Sequence, residues 1–213
     1  MQLLVIAKEP RPGFVKTRLC PPCTPREAAS IAAAGLADTL DVVRATSATR
    51  RVLALDGEAG PWLGSGVGVI PQVDGGLGAR LDAAFAACFA ASDEPVVLIG
   101  MDTPQVTPAL LTQAGRAVER PGGPDAVLGL ASDGGWWLLA LRARRAGVFD
   151  GVPMSEDDTG ARQLARLREL GLQVSLAPVL TDVDHAADAQ VLASALPGSR
   201  FARAVEDALG SVA

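Results

Sequence analysis

Residues 95–104 read Pro-Val-Val-Leu-Ile-Gly-Met-Asp-Thr-Pro, and the expected fold class follows from this stretch. The four residues Val-Val-Leu-Ile are apolar without alternation, which is typical of a strand covered on both faces, as in a parallel sheet between helices. A carboxylate, Asp102, comes shortly after them, and in open α/β sheets ligands bind at the carboxyl ends of the strands. The alternative is that Asp102, Thr103 and Pro104 only begin a turn before the next helix.

On both sides of this stretch, short apolar runs alternate with Ala-rich segments of helical periodicity, which is the pattern of an α/β protein. Thr24-Pro25-Arg26-Glu27 contains an N-cap residue, a proline suited to the first helical position and a capping-box glutamate, so a long helix is predicted to begin there. We therefore expect a single domain, residues 1–213, with a Rossmann-like, mostly parallel mixed sheet flanked by helices. Further strands are predicted at residues 2–7, 51–56, 67–71, 126–130, 136–141 and 172–179.

The composition argues against several classes of protein. The formal net charge is −5 and the isoelectric point is about 4.9, whereas nucleic-acid-binding domains usually carry a basic surface, so we expect no nucleic-acid partner. No apolar run approaches the roughly 18 residues of a membrane span, and a count of three cysteines suits a reducing compartment. We expect a cytoplasmic protein without a membrane partner, and the sequence leaves its oligomeric state open.

A basic loop follows the first strand and is the predicted binding site for nucleotide phosphates. Arg offers paired donors to a phosphate and Lys a mobile point charge, while Pro10 and Pro12 limit the freedom of the loop. The alternative is a solvated loop that is basic only by composition. Neither a P-loop nor a dinucleotide-binding fingerprint occurs in the chain. The candidate nucleotide-binding residues of this loop are Lys8, Arg11, Gly13, Lys16 and Arg18.

Carboxylates after two of the strands predict a site for Mg²⁺ or Mn²⁺. Asp102 follows the most hydrophobic strand, and Asp182-Val183-Asp184 follows the last one. Mg²⁺ typically binds through one or two carboxylates together with phosphate oxygens of a substrate, so Asp102 is a candidate ligand and one of the other two a second. Asp184 can also cap the helix that follows, and both roles are compatible.

Two glycine-rich segments are weaker candidates. Asp133-Gly134-Gly135 lets a backbone approach an acceptor molecule closely, with Asp133 accepting from a hydroxyl, although a tight hairpin between two strands explains the same residues. The alternation of a strand predicts one ring of Trp136 and Trp137 in the core and the other at the pocket, and we assign Trp137 to the acceptor. Gly78 begins a helix whose N–H groups are suited to an anion, or it is part of a flexible connection.

The segment Lys8–Leu19, Lys-Glu-Pro-Arg-Pro-Gly-Phe-Val-Lys-Thr-Arg-Leu, resembles the opening of a bacterial family of glycosyltransferase-like proteins related to 2-phospholactate guanylyltransferases. Segments 98–104, 133–139 and 181–188 match the same family in order, so the resemblance covers nearly the whole chain. It implies the GT-A fold of the nucleotide-diphospho-sugar transferases. It further implies phosphate contacts for Arg11, Lys16 and Arg18, a divalent metal on Asp102, and Asp184 as the second metal ligand.

Our leading hypothesis is a metal-dependent nucleotidyltransferase that uses a nucleoside triphosphate and a small anionic acceptor and releases pyrophosphate. Lys16 and Asp102 are the residues expected to act in catalysis, since phosphoryl-group transfer depends mainly on positioning and on cations. Glycosyl transfer from a nucleotide sugar is the close alternative, because it uses the same fold and metal. A non-catalytic nucleotide-binding protein is the third.

Overall fold

The computed structural model describes residues 1–210 and contains a seven-stranded mixed sheet. The strand order is β3-β2-β1-β4-β6-β5-β7, and only β6 runs antiparallel to its neighbours. The predicted α/β class with a mostly parallel mixed sheet is confirmed. The strands are β1 (Gln2–Lys8), β2 (Arg50–Asp56), β3 (Gly68–Pro71), β4 (Val96–Ile99), β5 (Ala126–Ala131), β6 (Trp136–Leu141) and β7 (Val174–Leu180).

Six α-helices accompany the sheet in the described residues, and their starts follow local capping chemistry. Thr24 and Glu27 form the predicted capping box, in which the Thr24 hydroxyl accepts from the Glu27 N–H and the Glu27 carboxylate accepts from the Thr24 N–H. Thr107 caps a second helix by accepting from the Leu110 N–H. The helices are α1 (Pro25–Ala45), α2 (Leu77–Ala91), α3 (Pro108–Glu119), α4 (Thr159–Glu169), α5 (Ala186–Ala195) and α6 (Arg200–Leu209).

The two faces of the sheet support two separate cores, because successive residues of a strand point to opposite sides. Leu3 and Val5 of β1 pack with α1 and α3, whereas Leu4 packs with α2 and α4. A third cluster joins α5 and α6 to the start of α1 and includes Leu19 and Val183. This third cluster anchors the basic loop after β1 and the segment after β7 in one place.

Four connections meet at one edge of the sheet. β1, β4, β5 and β7 all end there, and the reversed β6 begins there, so the β5–β6 hairpin lies at the same edge. Consequently residues 9–22, 100–106, 132–135 and 181–185 are brought together, as the sequence pattern predicts. Within residues 1–210, no helix combines the length and apolarity needed to cross a bilayer. The single domain spanning residues 1–213 stays a prediction, and residues 211–213 lie outside the described part.

Candidate active site

Lys16 is directed into the molecule by an unusual backbone conformation. Its φ and ψ are 50° and 36°, in the left-handed region, immediately before a short 3-10 helix formed by Thr17–Leu19. Leu19 at the end of this turn is fully buried, so the loop is held against the third core cluster. The Lys16 side chain is only 10% exposed as a result, although it belongs to a loop that is otherwise largely exposed.

The Lys16 ammonium joins three segments of the chain. It forms an ion pair with the Asp102 carboxylate after β4 and donates to the carbonyl oxygen of Val183 after β7. The Val183 N–H in turn donates to the Asp102 carbonyl at 2.9 Å. The structure thus brings together Lys16 and Asp102, the two residues that the sequence analysis assigns to catalysis, and their catalytic role stays a prediction.

Arg18 and Asp184 form a second ion pair between the same two loops, 2.9 Å from Nη1 to Oδ2. Leu19 and Val183, their neighbours in the chain, are buried in one cluster, and this shared anchoring places the two charged side chains opposite each other. The Arg18 side chain is 64% exposed, and an exposed ion pair contributes only about 0–1 kcal/mol. Both groups can therefore exchange this partner for a ligand at little cost.

Asp182 is the most perturbed carboxylate at this edge. Burial raises the pKa of Asp182 to about 7, and the carboxylates of Asp102, Asp133 and Asp184 add to the shift while Lys16 opposes it. Its Oδ1 is buried and has no hydrogen-bond partner among the described residues. The preference for Asp184 over Asp182 as the second metal ligand stays a prediction, since Asp182 interacts electrostatically with the same carboxylates.

The oxygen donors at this edge fit a hard divalent cation, but they do not form a complete cage. Among residues 1–210, no group of three or more His, Cys, Asp and Glu side chains is arranged to hold a metal ion. Mg²⁺ commonly takes one or two carboxylates and completes its shell with water and substrate phosphates. Asp102 and Asp184 are compatible with that incomplete type of site, and their role as ligands stays a prediction.

Lys8 and Arg11 lie at the outer side of the basic loop. Lys8 ends β1 and is exposed, with its backbone N–H 3.4 Å from the Met101 sulfur. The Arg11 guanidinium stacks over the Phe14 ring at 3.7 Å from the centroid. Neither residue forms an ion pair within the part of the chain that the structure describes, so both charges are available to an anion. Gly13 has a φ of +80° and open space around it, consistent with a turn at the loop tip.

Gly78 lies in the first turn of α2 and faces the protein rather than open solvent. A Cβ at this position would lie 3.5 Å from the Cβ of Phe149 and 3.7 Å from the Met154 methyl group, an ordinary packing distance. An alanine would therefore also fit at this position, and the packing of α2 on the segment before α4 does not require a glycine. The backbone contact of Gly78 with a nucleotide stays a prediction.

Two polar residues near Gly78 escaped the sequence analysis. Gln72 donates from one side-chain nitrogen to the carbonyls of Ala7 and Ala54, at 2.8 and 2.9 Å, and so bridges the ends of β1 and β2. Arg80 contacts the Asp56 carboxylate at 2.5 Å and donates to the Gly75 carbonyl at 2.9 Å. Together they fix the glycine-rich segment to the strand ends. The sequence signal that could have indicated Gln72 is its position directly after a predicted strand.

The Asp133-Gly134-Gly135 segment is the hairpin turn between β5 and β6, and it interlocks with the start of α4. The Gly160 N–H donates to the Gly134 carbonyl at 2.8 Å. Gly134 has a φ of +91°, and a Cβ there would lie 2.5 Å from the carbonyl carbon of Asp157. Asp133 accepts from the Gly135 N–H at 2.9 Å and remains exposed. The hairpin interpretation is thus confirmed, while acceptor binding by these residues stays a prediction.

The placement of Trp137 departs from the sequence analysis. The ring is 2% exposed within the core on the α1 side, and its indole N–H donates to the Pro178 carbonyl at 3.0 Å. Trp136 is the partly exposed member of the pair and stacks on Phe149 with 6.4 Å between ring centroids. The assignment of Trp137 to the pocket is therefore wrong, because alternation predicts that one ring is buried but not which one.

Comparison with solved structures defines the class: this is the fold of the nucleotide-diphospho-sugar transferases. The chain is similar to a protein of Desulfovibrio desulfuricans G20 that is provisionally assigned as such a transferase, with 26% identity, 100% of this chain and 98% of that chain covered, and a TM-score of 0.85. A nucleotidyl transferase from Methanothermobacter thermautotroptrophicus shares 16% identity over 95% of this chain and 98% of that chain, with a TM-score of 0.59.

Glucosyl-3-phosphoglycerate synthase from Mycobacterium tuberculosis, solved with Mn²⁺, UDP and glucosyl-3-phosphoglycerate, shares 13% identity over 92% of this chain and 78% of that chain, with a TM-score of 0.53. At these identities the second and third structures establish the fold alone. The chain belongs to DUF2064, a family described as uncharacterized protein conserved in bacteria, which matches residues 32–156. Comparison with curated proteins gives no match.

Proposed function

We propose that this protein is a metal-dependent nucleotidyltransferase that joins the nucleotidyl part of a nucleoside triphosphate to a small anionic acceptor. The observation that carries the proposal is the meeting of the basic loop with the carboxylates after β4 and β7, through the Lys16–Asp102 and Arg18–Asp184 ion pairs. Positive groups for a polyphosphate and oxygen ligands for a divalent cation are thereby within one small region at the carboxyl edge of the sheet.

The nucleotide phosphates would bind to the basic loop. Lys8 and Arg11 contribute charges that have no ion-pair partner in residues 1–210, and Arg18 can exchange its exposed partner for a phosphate. Arg forms paired hydrogen bonds with phosphate oxygens, whereas Lys interacts with phosphates mainly as a point charge on a flexible side chain. A triphosphate carries more charge than a nucleotide sugar, so several cations in one loop suit a triphosphate better, and the resemblance to 2-phospholactate guanylyltransferases agrees with this choice.

Asp102 and Asp184 would hold Mg²⁺ or Mn²⁺ together with phosphate oxygens. When bound, the cation neutralises charge that accumulates on the phosphates during transfer. Manganese in the glucosyl-3-phosphoglycerate synthase complex is consistent with this choice of ion. The buried, unpartnered Oδ1 of Asp182 is an additional oxygen at the same place.

The proposed reaction needs no protein base. An anionic oxygen of the acceptor attacks the α-phosphorus and forms a new P–O bond, while the bond from the α-phosphorus to the bridging oxygen breaks. The bonding electron pair leaves with pyrophosphate. The one histidine, His185, is an exposed residue at the start of α5, which agrees with chemistry that does not depend on histidine. In this proposal Lys16 would stabilise the charge on the leaving phosphates after giving up its contact with Asp102.

Glycosyl transfer from a nucleotide sugar is the second candidate. The full-length similarity to the Desulfovibrio protein, the highest TM-score among these comparisons, favours it. The same loop would then bind a diphosphate, and a sugar C–O bond rather than a P–O bond would break.

The test combines binding with product analysis. Thermal unfolding is followed with a panel of nucleoside triphosphates and nucleotide sugars, each with and without Mg²⁺. A ligand at about a hundred times its Kd should raise stability by roughly 2.7 kcal/mol, or on the order of 5–10 °C for this size. Pyrophosphate release is then measured with candidate phosphorylated or carboxylated acceptors. Turnover of a nucleotide sugar, without pyrophosphate from any triphosphate, would overturn nucleotidyl transfer.

Asp102→Asn separates an enzyme from a nucleotide-binding protein. We expect it to abolish the Mg²⁺-dependent part of the shift and to reduce turnover about 100-fold or more, since it removes a ligand charge. Asp93→Asn makes the same chemical change at an exposed position before β4, at the opposite edge of the sheet, and should leave both unchanged. Unaltered metal-dependent binding in Asp102→Asn, with no turnover in the wild type, would favour the non-catalytic alternative.

A further inference from the structure

We propose that Lys16 and the divalent cation compete for the Asp102 carboxylate, and that the nucleotide phosphates decide the competition by drawing the ammonium away. The inference rests on the proposed function, since it assumes a metal-assisted nucleotide site. It predicts that binding is coupled: the protein binds the divalent cation tightly only when nucleotide is bound as well. Lys16 thus acts as a positioning residue for the metal in addition to any contact with phosphate.

The backbone at Lys16 is the first observation. A non-glycine residue with a φ of 50° is in a conformation that L-amino acids rarely adopt, because the Cβ then approaches the following carbonyl oxygen. Ser155 is the other non-glycine residue with positive φ within residues 1–210. The conformation at Lys16 turns the side chain inward, and the strain is balanced by the contacts that the buried ammonium makes.

The partners of the ammonium are the second observation. Lys16 Nζ contacts a carboxylate oxygen of Asp102 and the carbonyl oxygen of Val183. Carboxylate and carbonyl oxygens are hard donors of the kind that bind Mg²⁺ and Mn²⁺. The ammonium therefore lies between donors that a metal cation would also use, and both cannot occupy that position together.

The surrounding charge is the third observation. Asp182 interacts electrostatically with the carboxylates of Asp102, Asp133 and Asp184 and with the Lys16 ammonium, and it has a buried carboxylate oxygen without a partner among the described residues. The Lys16 ammonium pairs with Asp102 and the Arg18 guanidinium with Asp184, whereas Asp133 has no cationic partner within residues 1–210 and adds negative charge that these two cations leave uncompensated. A divalent cation compensates more of it, provided that the ammonium has another anion to move to.

The exposures of the two partners explain why the exchange would require nucleotide. The Asp102 side chain is 43% exposed and thus accessible to a cation from solvent, whereas the Lys16 side chain is 10% exposed and on leaving loses the one carboxylate partner that it has within residues 1–210. A phosphate bound to the neighbouring Lys8 and Arg11 would supply the new partner. Lys is suited to such a transfer, because its compact charge sits on a flexible stem.

The experiment measures Mn²⁺ binding directly, by electron paramagnetic resonance of the free ion, with and without nucleotide. For the wild type we expect weak Mn²⁺ binding alone and at least about tenfold tighter binding with the nucleotide that gives the thermal shift. Lys16→Met should tighten nucleotide-free Mn²⁺ binding about tenfold or more, because removing an adjacent unit charge is worth at least that factor at partly shielded sites. Lys16→Gln provides a second neutral variant should the first fail to fold.

Two control variants test whether the change in Mn²⁺ affinity is due to the positive charge at Lys16. Lys16→Arg keeps the charge and should retain weak nucleotide-free binding, and Arg26→Met removes a positive charge at an exposed position in the first turn of α1 and should change the affinity by less than about threefold. Nucleotide-free affinity that is unchanged in folded Lys16→Met and Lys16→Gln would overturn the competition, even if nucleotide tightens Mn²⁺ binding to the wild type. Failure of every nucleotide to tighten Mn²⁺ binding would instead contradict the proposed function.

Discussion

Replacing Gly134 by alanine tests whether the β5–β6 hairpin is locked to the segment before α4. An added Cβ would lie 2.5 Å from the Asp157 carbonyl carbon and closer still to its oxygen, whereas ordinary contacts begin at 3.4 Å, so the two segments must separate by more than 3.4 − 2.5 = 0.9 Å. That movement breaks the 2.8 Å hydrogen bond from the Gly160 N–H to the Gly134 carbonyl. Backbone strain at a φ of +91° adds about 1–2 kcal/mol. We expect a loss of roughly 3–4 kcal/mol in the free energy of unfolding.

Urea denaturation followed by tryptophan fluorescence measures this loss, since Trp136 begins the strand after the turn. Gly122→Ala is the matched control: its φ is +72° and a Cβ there meets nothing within 4 Å, so only the backbone strain of about 1–2 kcal/mol remains. Equal losses in the two variants would refute the interlock. A selective loss in Gly134→Ala, accompanied by weaker binding of the acceptor identified by turnover, would tie the hairpin to the site as well.

Three further predictions concern the rest of the molecule. Burial and neighbouring carboxylates raise the pKa of Asp182 from 3.8 to about 7, so the folded protein binds the proton of this carboxyl group more tightly than the unfolded chain does. In metal-free buffer the free energy of unfolding should therefore fall as the pH rises from about 4 to about 7, and urea titrations of Asp182→Asn should lack this decrease. Phe201→Ala should lower the free energy of unfolding by about 3–5 kcal/mol because Phe201 is 2% exposed, whereas Arg200→Met, on a side chain that is 50% exposed, should lower it by no more than about 1 kcal/mol. Comparable losses in the two variants would argue against the third core cluster. Gln72→Leu removes the side-chain donor from the carbonyls of Ala7 and Ala54 and should lower the free energy of unfolding, measured by urea denaturation, by about 1–3 kcal/mol. The nucleotide-induced thermal shift should also become smaller, and an undiminished shift would show that Gln72 does not support the site.

Features with a local cause were predictable from the sequence. The capping box at Thr24 and Glu27 needs only residues within one turn, and it is present as predicted. Apolar runs likewise located the strands to within about two residues, with the last strand predicted at 172–179 and found at Val174–Leu180. The polar residues after β4 and β7 could be recognised from the sequence as lying at the carboxyl ends of strands, because the apolar run of each strand ends shortly before them.

Features with a distant cause were not predictable. Arg18 and Asp184 are 166 residues apart in the chain, and their pairing depends on the burial of Leu19 and Val183 in one cluster. The inward direction of Lys16 depends on a left-handed backbone that no residue type announces. For the tryptophan pair, the period of the strand was predictable while its phase was not, since the phase is set by which helices cover each face.

The reversal of β6 has a consequence for how this site can diversify. Parallel strands need a crossover of a dozen residues or more, usually a helix, whereas the antiparallel β5 and β6 are joined by a short turn. The turn Ser132–Gly135 is thus independent of any helix connecting the two strands, and its exposed residues Ser132 and Asp133 can be exchanged as long as Gly134 keeps its contact with the start of α4. If the second substrate binds at this turn as proposed, exchanges at these two positions could change which substrate is accepted while the loop after β1 stays as it is, so the choice of substrate and the phosphate chemistry could evolve separately.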